Sequence, residues 1–469
     1  MNTSTTYAII GGLTLPTGVG TTKIAFTAKD FLQRIAALRA RMDLANLTHV
    51  LVYADREHFA NMEYLIGHDP RFEQALLLIA LEGEPTLFIG NEGIGYAADI
   101  TVPVQLVLYQ NFSLQGQPRE RLQPLPQLLA KAGLTAEAKL GIVGFKYFLD
   151  THLPNAQHRY DLPAYIMEDI AQCVPAERMQ NFTPALTGLP DGLRLTLQSA
   201  REIAHYEYIA SRCSEKVLRM IQALEPGITE IHISEHAGMD GLPQHVHPMI
   251  NFGPAHVASG LRSPDDRALQ AGEVAGLCLG PRGALVSRVG VAAYDENSLQ
   301  PQLQGSIESF YGRYWLMMTR WYASLHVGVT GGEIYNAVEP DLAALGVYLN
   351  PGHYIGADEW VNAPVYPGST DALLSGAYIQ SDVIASSSTP VRTAIMEDGV
   401  VLADAALRQQ LQEEYPDCWE RIQERQMFMR EGLGISISDD VLPLSNLCGV
   451  YFPYMLDCSR MFSLRTSSS

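Results

Sequence analysis

The sequence has few cysteines, a deficit of basic residues and no long apolar run. Its 469 residues include only six cysteines, and none of them forms a Cys-x-x-Cys pair, which excludes a disulfide framework and a zinc ribbon. The 51 Asp and Glu residues outnumber the 32 Lys and Arg residues, giving a net charge of −19. No block of basic residues is present to bind a phosphate backbone, so we predict no nucleic-acid partner. The few unpaired cysteines predict reduced thiols.

Targeting and membrane-spanning patterns are also missing. The first 20 residues lack a basic segment followed by an apolar core, and no run of about 18 apolar residues occurs. We therefore expect a cytoplasmic protein with no membrane partner. At roughly 100–200 residues per domain, the chain is long enough for two to four domains, and we expect two large ones.

The first part of the chain has the pattern of an α/β domain. Phe31, Ile35, Leu38 and Met42 recur at helical spacing within residues 28–44. Short runs rich in Leu, Val and Ile follow at 48–53, 75–81 and 85–89. Short buried strands combined with amphipathic helices predict one α/β layer unit that extends to about residue 185.

The second part contains a repeated helix-boundary motif. Long helices are predicted over 199–224 and 299–325, and each is followed by a turn in which Thr229 or Thr330 precedes an acidic residue. A threonine before an acidic first turn is typical of a helix N-cap. The repeat indicates two pseudo-symmetric halves with any site between them. Residues 405–431 are predicted to be helical, and 466–469 form a polar tail.

Several motifs occur in the order found in a known family. They are Asn61–Gly67, Ala271–Val274, Asn350–His353, Ser375–Asp382 and Ile395–Leu402. With the duplicated helix pair, they resemble the creatinase/aminopeptidase P family, the M24 peptidases of pita-bread fold. The resemblance implies an α/β (α+β) fold: a creatinase-like N-terminal α/β domain at 26–188 and a pita-bread domain at 189–440. Residues 1–25 would be an extension and 441–469 a tail.

The resemblance also implies which positions would bind metal. Peptidases of this family hold two divalent metals with two aspartates, one histidine and two glutamates. In this sequence the aspartate positions fall on Cys278 and on or near Val289, while the other three are His353, Asp382 and Glu397. We therefore expect no metal pair and no required cofactor. A single zinc or manganese ion on Cys278, His353, Asp382 and Glu397 is the alternative that these donors leave open.

A metal-free branch of the family suggests a different chemistry. Creatinase hydrolyses a C–N bond with protonatable side chains, including a histidine that precedes the Gly-Asp turn. The nearest histidines here are His245, His247 and His256, of which His256 is the first choice. The predicted catalytic set is therefore His353, Asp382, Glu397 and His256. The alternative for His256 is a surface or helix-capping role.

Four further residues are predicted to bind substrate. Asp358 and Glu359 follow His353 and could form an acid/base pair or a clamp for a cation, with Trp360 offering its π face. The alternative is a solvated turn. Arg71 resembles an arginine that creatinase-like N-terminal domains offer to a neighbouring subunit's pocket, where it would hold a carboxylate. Its alternative is an ion pair with Asp69 or Glu73.

These residues lead to one leading prediction and two alternatives. We predict a homodimeric hydrolase of the creatinase/M24 type that cleaves an amide or amidine C–N bond in a small polar substrate without a dinuclear metal centre. The first alternative is a metal-dependent Xaa-Pro aminopeptidase or dipeptidase. The second is a non-catalytic pseudo-peptidase that binds a small ligand or a protein partner.

Overall fold

The computed structural model describes residues 6–238 and 240–465, which form two compact units. The small unit comprises Ala25–Arg194. The large unit comprises the described residues up to Ile24 and those from Leu195 onward. The small unit therefore ends at Arg194, whereas the sequence predicts a boundary at residue 188.

The small unit is built on one mixed sheet. After β1 (Ala8–Gly11), which belongs to the large unit, its strands are β2 (His49–Ala54), β3 (Ala75–Ala80), β4 (Thr86–Ile89), β5 (Gln105–Leu108), β6 (Leu140–Val143) and β7 (Met179–Asn181). The strand order is β5-β4-β3-β2-β6-β7. β3 runs antiparallel to β2 and β4, and the remaining pairs are parallel.

Helices cover both faces of this sheet. They are α1 (Ala28–Leu44), α2 (Ala60–Ile66), α3 (Gly93–Tyr96), α4 (Leu125–Lys131), α5 (Ala164–Ala171) and α6 (Pro184–Thr187). Val50 and Val52 of β2 pack in the same core as the apolar stripe of α1, whereas Leu51 and Tyr53 pack in a second core with residues of α4 and α5. This alternation gives the three-layer α/β arrangement that the sequence predicts.

The large unit contains two antiparallel sheets and one separate strand pair. Its remaining strands are β8 (Gln244–Phe252), β9 (Glu273–Pro281), β10 (Val286–Ala292), β11 (His353–Tyr354), β12 (Tyr378–Gln380), β13 (Ala385–Ser388), β14 (Val391–Glu397), β15 (Gly399–Leu402), β16 (Val441–Pro443) and β17 (Arg460–Ser463). The sheet orders are β13-β14-β10-β9-β8 and β11-β12-β15-β16, and β1 pairs with β17.

Long helices pack against these sheets. The helices are α7 (Ala200–Gln222), α8 (Glu230–Glu235), α9 (Gly253–Ser259), α10 (Arg313–Ser324), α11 (Gly331–Leu345), α12 (Ala405–Glu414) and α13 (Pro416–Met427). α7 contacts β9 and β10, and α10 contacts α11. The Thr229 side chain accepts a hydrogen bond from the His232 N–H, and Thr330 accepts one from the Glu333 N–H. Both predicted N-caps are thus confirmed.

Two predicted helices are shorter than the sequence pattern indicates. The segment 299–325 forms a 3₁₀ turn at Pro301–Leu303, a π-helical turn at Ile307–Gly312 and then α10. Gly305 has φ 74°, which interrupts a right-handed helix. The segment 405–431 is split at Tyr415, because the ring of Pro416 disfavours helical geometry for the residue before it.

The two chain ends contribute to the large unit rather than forming an extension and a tail. β1 pairs in antiparallel register with β17, and Val441–Pro443 pairs with β15. The predicted polar tail at 466–469 lies outside the described residues. Among the helices of the described chain, none combines the length and apolar character needed to cross a bilayer. The cytoplasmic location and the homodimer stay predictions.

Candidate active site

A cavity of about 340 Å³ lies in the large unit against one face of the five-stranded sheet. Most of its wall is apolar, and its described lining residues include no Lys, Arg or His. They are Val246, Met249, Asn251, Val257, Gly260, Leu261, Gly276, Leu277, Cys278, Leu285, Ser287, Val289, Leu349, Glu359, Trp360, Asp382, Ile384, Thr393, Ile395 and Glu397. A volume of this size suits a small organic molecule.

Strand register places one row of side chains on the cavity floor. Ser287 of β10 lies opposite Cys278 of β9 on one side and opposite Glu397 of β14 on the other. Two residues along β10, Val289 lies opposite Gly276. Because side chains alternate between the two faces of a sheet, these positions share the cavity face. β9 and β10 therefore present Gly276, Cys278, Ser287 and Val289 to the cavity, with no carboxylate among them.

The three carboxylates among the described lining residues lie close together. Glu397 ends β14, Asp382 follows β12, and Glu359 lies in the loop after β11. With His353 they form a group in which one ligand-type atom from each residue lies within 4.8 Å of all the others. Asp382 Oδ1 is buried and has no hydrogen-bond partner among the described residues.

His353 contacts the carboxylates but is not among the described residues that line the cavity. Its Nε2 is 3.3 Å from Glu359 Oε1 and 3.7 Å from Asp382 Oδ2, although neither contact is a well-aligned hydrogen bond. Its Nδ1 is 3.1 Å from the Tyr354 carbonyl oxygen. The Trp360 ring stacks on the imidazole at 4.1 Å and 18°. Gly352, the residue before His353, has φ 115°, a conformation that favours glycine and lets the chain enter β11.

Burial and mutual repulsion set unequal proton affinities in this group. Burial raises the pKa of Asp382 to about 6, with His353 opposing the effect and Glu359 adding to it. Burial, together with the charges of Asp382 and Glu359, raises the pKa of Glu397 well above its usual range. Burial opposes charge on both members of the His353–Glu359 pair, but their contact outweighs it, raising the histidine pKa and lowering the glutamate pKa. Burial therefore favours the protonated forms of Asp382 and Glu397 relative to ordinary surface carboxyl groups.

The donors of this group do not fit a metal pair. Two bridged cations need shared carboxylates on both sides, whereas the floor strands offer only Cys278, Ser287 and the apolar groups around them. A single divalent ion fits the donor types of His353, Glu359, Asp382 and Glu397. The structure thus gathers three of the four predicted single-ion ligands and adds Glu359.

Cys278 differs from its predicted role as a metal ligand. The residue lines the cavity floor but does not belong to the described four-residue group. Burial, followed by repulsion from Glu397, raises the pKa of its thiol well above the usual value. A thiol that resists ionisation is a poor nucleophile, because the thiolate is the reactive form.

The structure places His256 in a separate group, away from His353. On α9, its Nδ1 is 2.8 Å from Glu230 Oε1, and its Nε2 is 3.8 Å from Asp265 Oδ2. His245 and His247 contact backbone carbonyl oxygens, of Ala284 and Leu261 respectively. None of these three histidines is among the described residues that line the cavity.

The four predicted substrate-binding residues have different positions. Glu359 and Trp360 line the cavity, whereas Asp358 is not among its described lining residues. Arg71 lies in the small unit, where its Nε is 3.2 Å from Asp69 Oδ2 and 3.2 Å from the Tyr96 hydroxyl. These contacts match the ion-pair alternative that the sequence analysis gave for Arg71.

Sequence reasoning did not identify Asn251 and Ser287 as lining residues. The expected second aspartate position was counted as eleven residues after Cys278, at or near Val289. The observed register pairs Cys278 with Ser287, nine residues on, because the hairpin turn is short. Ser287 and Val289 alternate with the charged Arg288, which indicates that the two share one strand face, but the register of the turn was needed to identify their partners on β9.

Comparison with known proteins gives a match at the level of structure only. No model of a protein family matches the chain, and no curated protein sequence matches it. The dipeptidase PepE from Mycobacterium ulcerans is 19% identical with a TM-score of 0.57, covering 81% of this chain and 94% of that one. The prolidase from Pyrococcus horikoshii is 16% identical with a TM-score of 0.60, covering 79% and 95%.

The same fold also occurs outside peptidases. The N-terminal domain of the FACT complex subunit SPT16 from Cicer arietinum is 11% identical with a TM-score of 0.57, covering 82% of this chain and 99% of that one. Identities this low show a shared fold and nothing further. The predicted creatinase/aminopeptidase P type of fold, with its pita-bread domain, is thereby confirmed.

Proposed function

We propose that the chain is a hydrolase that cleaves an amide or amidine C–N bond of a small substrate held in the cavity. The observation that carries the proposal is the pair Asp382 and Glu397, two buried carboxyl groups on one cavity with unequal proton affinities. Two carboxyl groups whose pKa values are pushed apart can act as base and acid at the same pH. The peptidase neighbours in fold support this reading.

The reaction needs only these two carboxyl groups and a water molecule. Asp382, ionised above about pH 6, accepts a proton from water while the water oxygen bonds to the substrate carbon. Glu397, whose protonated form is favoured by burial and by the neighbouring carboxylates, gives its proton to the leaving nitrogen as the C–N bond breaks. The proton on Asp382 then passes to Glu397, which restores the starting state.

His353 and Glu359 act through Asp382 rather than on the substrate. The His353 imidazole contacts the carboxylates of both Glu359 and Asp382. Its positive charge, when protonated, reduces the repulsion between these two carboxylates. Trp360 covers one face of the ring and holds it in place. His353 is therefore a positioning residue that sets the proton affinity of the base.

A single divalent ion, if bound by His353, Glu359, Asp382 and Glu397, would supply Lewis-acid polarisation of the scissile group. The metal-dependent Xaa-Pro peptidase alternative requires a cation pair. For that pair the chain would need carboxylates on the floor strands, where Cys278 and Ser287 lie instead. Stimulation of dipeptide cleavage by Mn²⁺ is the assay that would favour this alternative.

The experiment is a turnover screen with matched variants. Purified protein is incubated with a panel of simple amides and amidines, and amine or ammonia release is quantified. Asp382→Asn should abolish any release found, while Glu413→Gln, an exposed carboxylate-to-amide change on α12, should leave it intact. Equal turnover by wild type and Asp382→Asn would overturn the proposal.

One observation favours a second candidate function. The fold occurs in a subunit of the FACT complex, which is not named as a peptidase, as well as in peptidases, and a fold by itself does not specify an activity. A non-catalytic protein that binds a small ligand in the same cavity is therefore the second candidate. A compound that raises the melting temperature and is never converted would support it.

A further inference from the structure

The polar end of the cavity has a surplus of negative charge. Glu359, Asp382 and Glu397 face His353, and no Lys or Arg is among the described lining residues. A carboxylate placed here would meet like charge in a buried setting, which is strongly unfavourable, whereas a cation would be stabilised.

Two residues that line the cavity each have a buried side-chain oxygen atom without a hydrogen-bond donor. The atoms are Asp382 Oδ1 and Asn251 Oδ1, and neither has a partner among the described residues. The orientation of the Asn251 amide is fixed, because its Nδ2 donates to the Gly260 carbonyl oxygen at 3.1 Å. Buried acceptors without donors are costly, so a ligand that brings N–H groups would satisfy them.

The rest of the cavity favours a hydrocarbon. Met249, Leu277, Val289, Ile384 and Ile395 are part of its wall. At its edge, Leu261, Leu349 and Trp360 are 75%, 43% and 37% exposed although they also line the cavity. Large apolar side chains left in water at the edge of a pocket are typical of a surface that a ligand covers.

We propose that the cavity binds an organic cation, namely an alkyl ammonium, amidinium or guanidinium, that has an apolar body and no carboxylate. The N–H groups of the head contact Asp382 and Asn251, and the hydrocarbon body runs along the floor strands toward Leu261 and Leu349. The inference rests on the proposed function only in using the same cavity. It separates this chain from enzymes of amino acids and dipeptides, whose substrates carry a carboxylate.

A matched ligand series tests the proposal by titration calorimetry in buffer with a chelator, so that no divalent cation competes. The probes are hexylguanidinium, methylguanidinium, hexanamide and 6-guanidinohexanoate. Hexylguanidinium should bind at least about tenfold more tightly than methylguanidinium, because the longer chain buries five more methylene groups. Its affinity should also exceed that of hexanamide, which lacks the charge, and that of 6-guanidinohexanoate, which adds a carboxylate.

Variants assign the binding to this cavity. Asp382→Asn should weaken the binding of hexylguanidinium at least about tenfold, because a charged hydrogen-bond partner is lost. The affinity for hexanamide should stay nearly unchanged. Leu261→Ser, at the exposed edge, should weaken the hexyl ligand and leave methylguanidinium unchanged. Glu413→Gln is the control for both.

The outcomes separate this inference from the proposed function. Equal or tighter binding of 6-guanidinohexanoate, or no binding of hexylguanidinium, overturns the inference. Binding of hexylguanidinium with no turnover of any amide or amidine supports the inference and removes the hydrolase. Cleavage of carboxylate-bearing dipeptides in the same cavity supports a hydrolase and overturns the inference.

Discussion

Two groups of histidine and carboxylates in the large unit have similar composition but different hydrogen bonding. In the first, Glu230 uses both oxygens: Oε1 accepts from the Phe252 N–H and contacts His256, and Oε2 accepts from the Asp265 N–H. In the second, His353 Nε2 and Asp382 Oδ1 are buried without a well-aligned partner. The Glu230 group, whose carboxylate oxygens are hydrogen-bonded, joins α8 to the strand and loop beside it. The His353 group, which has buried polar atoms without partners, borders a cavity.

The difference indicates which group is available for chemistry. Folding favours partners for every buried polar atom, so a group with open donors and acceptors is retained at a cost in stability. Proton affinities shift most where burial is not offset by hydrogen bonds, as at Asp382 and Glu397. The following predictions test whether the two groups separate into a structural role and a catalytic role.

The largest effect is expected on turnover of Glu397→Gln. The amide keeps the shape of the side chain but cannot give a proton to the leaving nitrogen, so kcat should fall roughly 100- to 10,000-fold. Its unfolding free energy should equal or exceed that of wild type. Steady-state kinetics and urea unfolding measure both quantities, and a variant with full activity would remove Glu397 from the reaction.

The opposite pattern is expected for Glu230→Ala. Removal of a fully buried carboxylate leaves the Phe252 and Asp265 N–H groups without their acceptor, which should lower the unfolding free energy by roughly 2–4 kcal/mol. Urea denaturation followed by circular dichroism measures the loss. A change within error of zero would contradict the structural role assigned to this group.

A smaller contrast is expected between the two histidines. His353→Gln should lower kcat/KM about 10- to 100-fold, as is usual when a residue that orients a reacting group is lost. It should also shift the acid limb of the pH profile, since the imidazole tunes Asp382. His256→Gln should instead lower the unfolding free energy by about 1 kcal/mol. Equal kinetic losses in the two variants would abolish the distinction.

The smallest effect concerns the pH dependence of stability. Asp382 has a pKa raised to about 6, so the native state keeps a proton that the unfolded chain releases near pH 4. Its contribution to stability is therefore present below about pH 4 and is lost as the pH rises through about 6. Relative to wild type, Asp382→Asn should gain stability between about pH 4 and pH 7. A difference that does not change with pH would contradict the raised pKa.

The fold could be predicted from the sequence, and the residues of the candidate site could be predicted in part. Short motifs in a fixed order pointed to the pita-bread fold, and the same resemblance brought His353, Asp382 and Glu397 together. Two features depend on tertiary geometry and could not be read from the sequence. One is the short β9–β10 turn, which sets Ser287 opposite Cys278. The other is the position of α9, which directs His256 to Glu230.

The floor strands β9 and β10 do not supply the carboxylates that are needed to hold a pair of cations. Anomalous diffraction from crystals soaked in Mn²⁺ tests it most directly. We expect at most one manganese peak, at His353, Glu359, Asp382 and Glu397, and none over Cys278 and Ser287. Two manganese peaks bridged by a solvent oxygen would contradict it and would favour a metal-dependent peptidase.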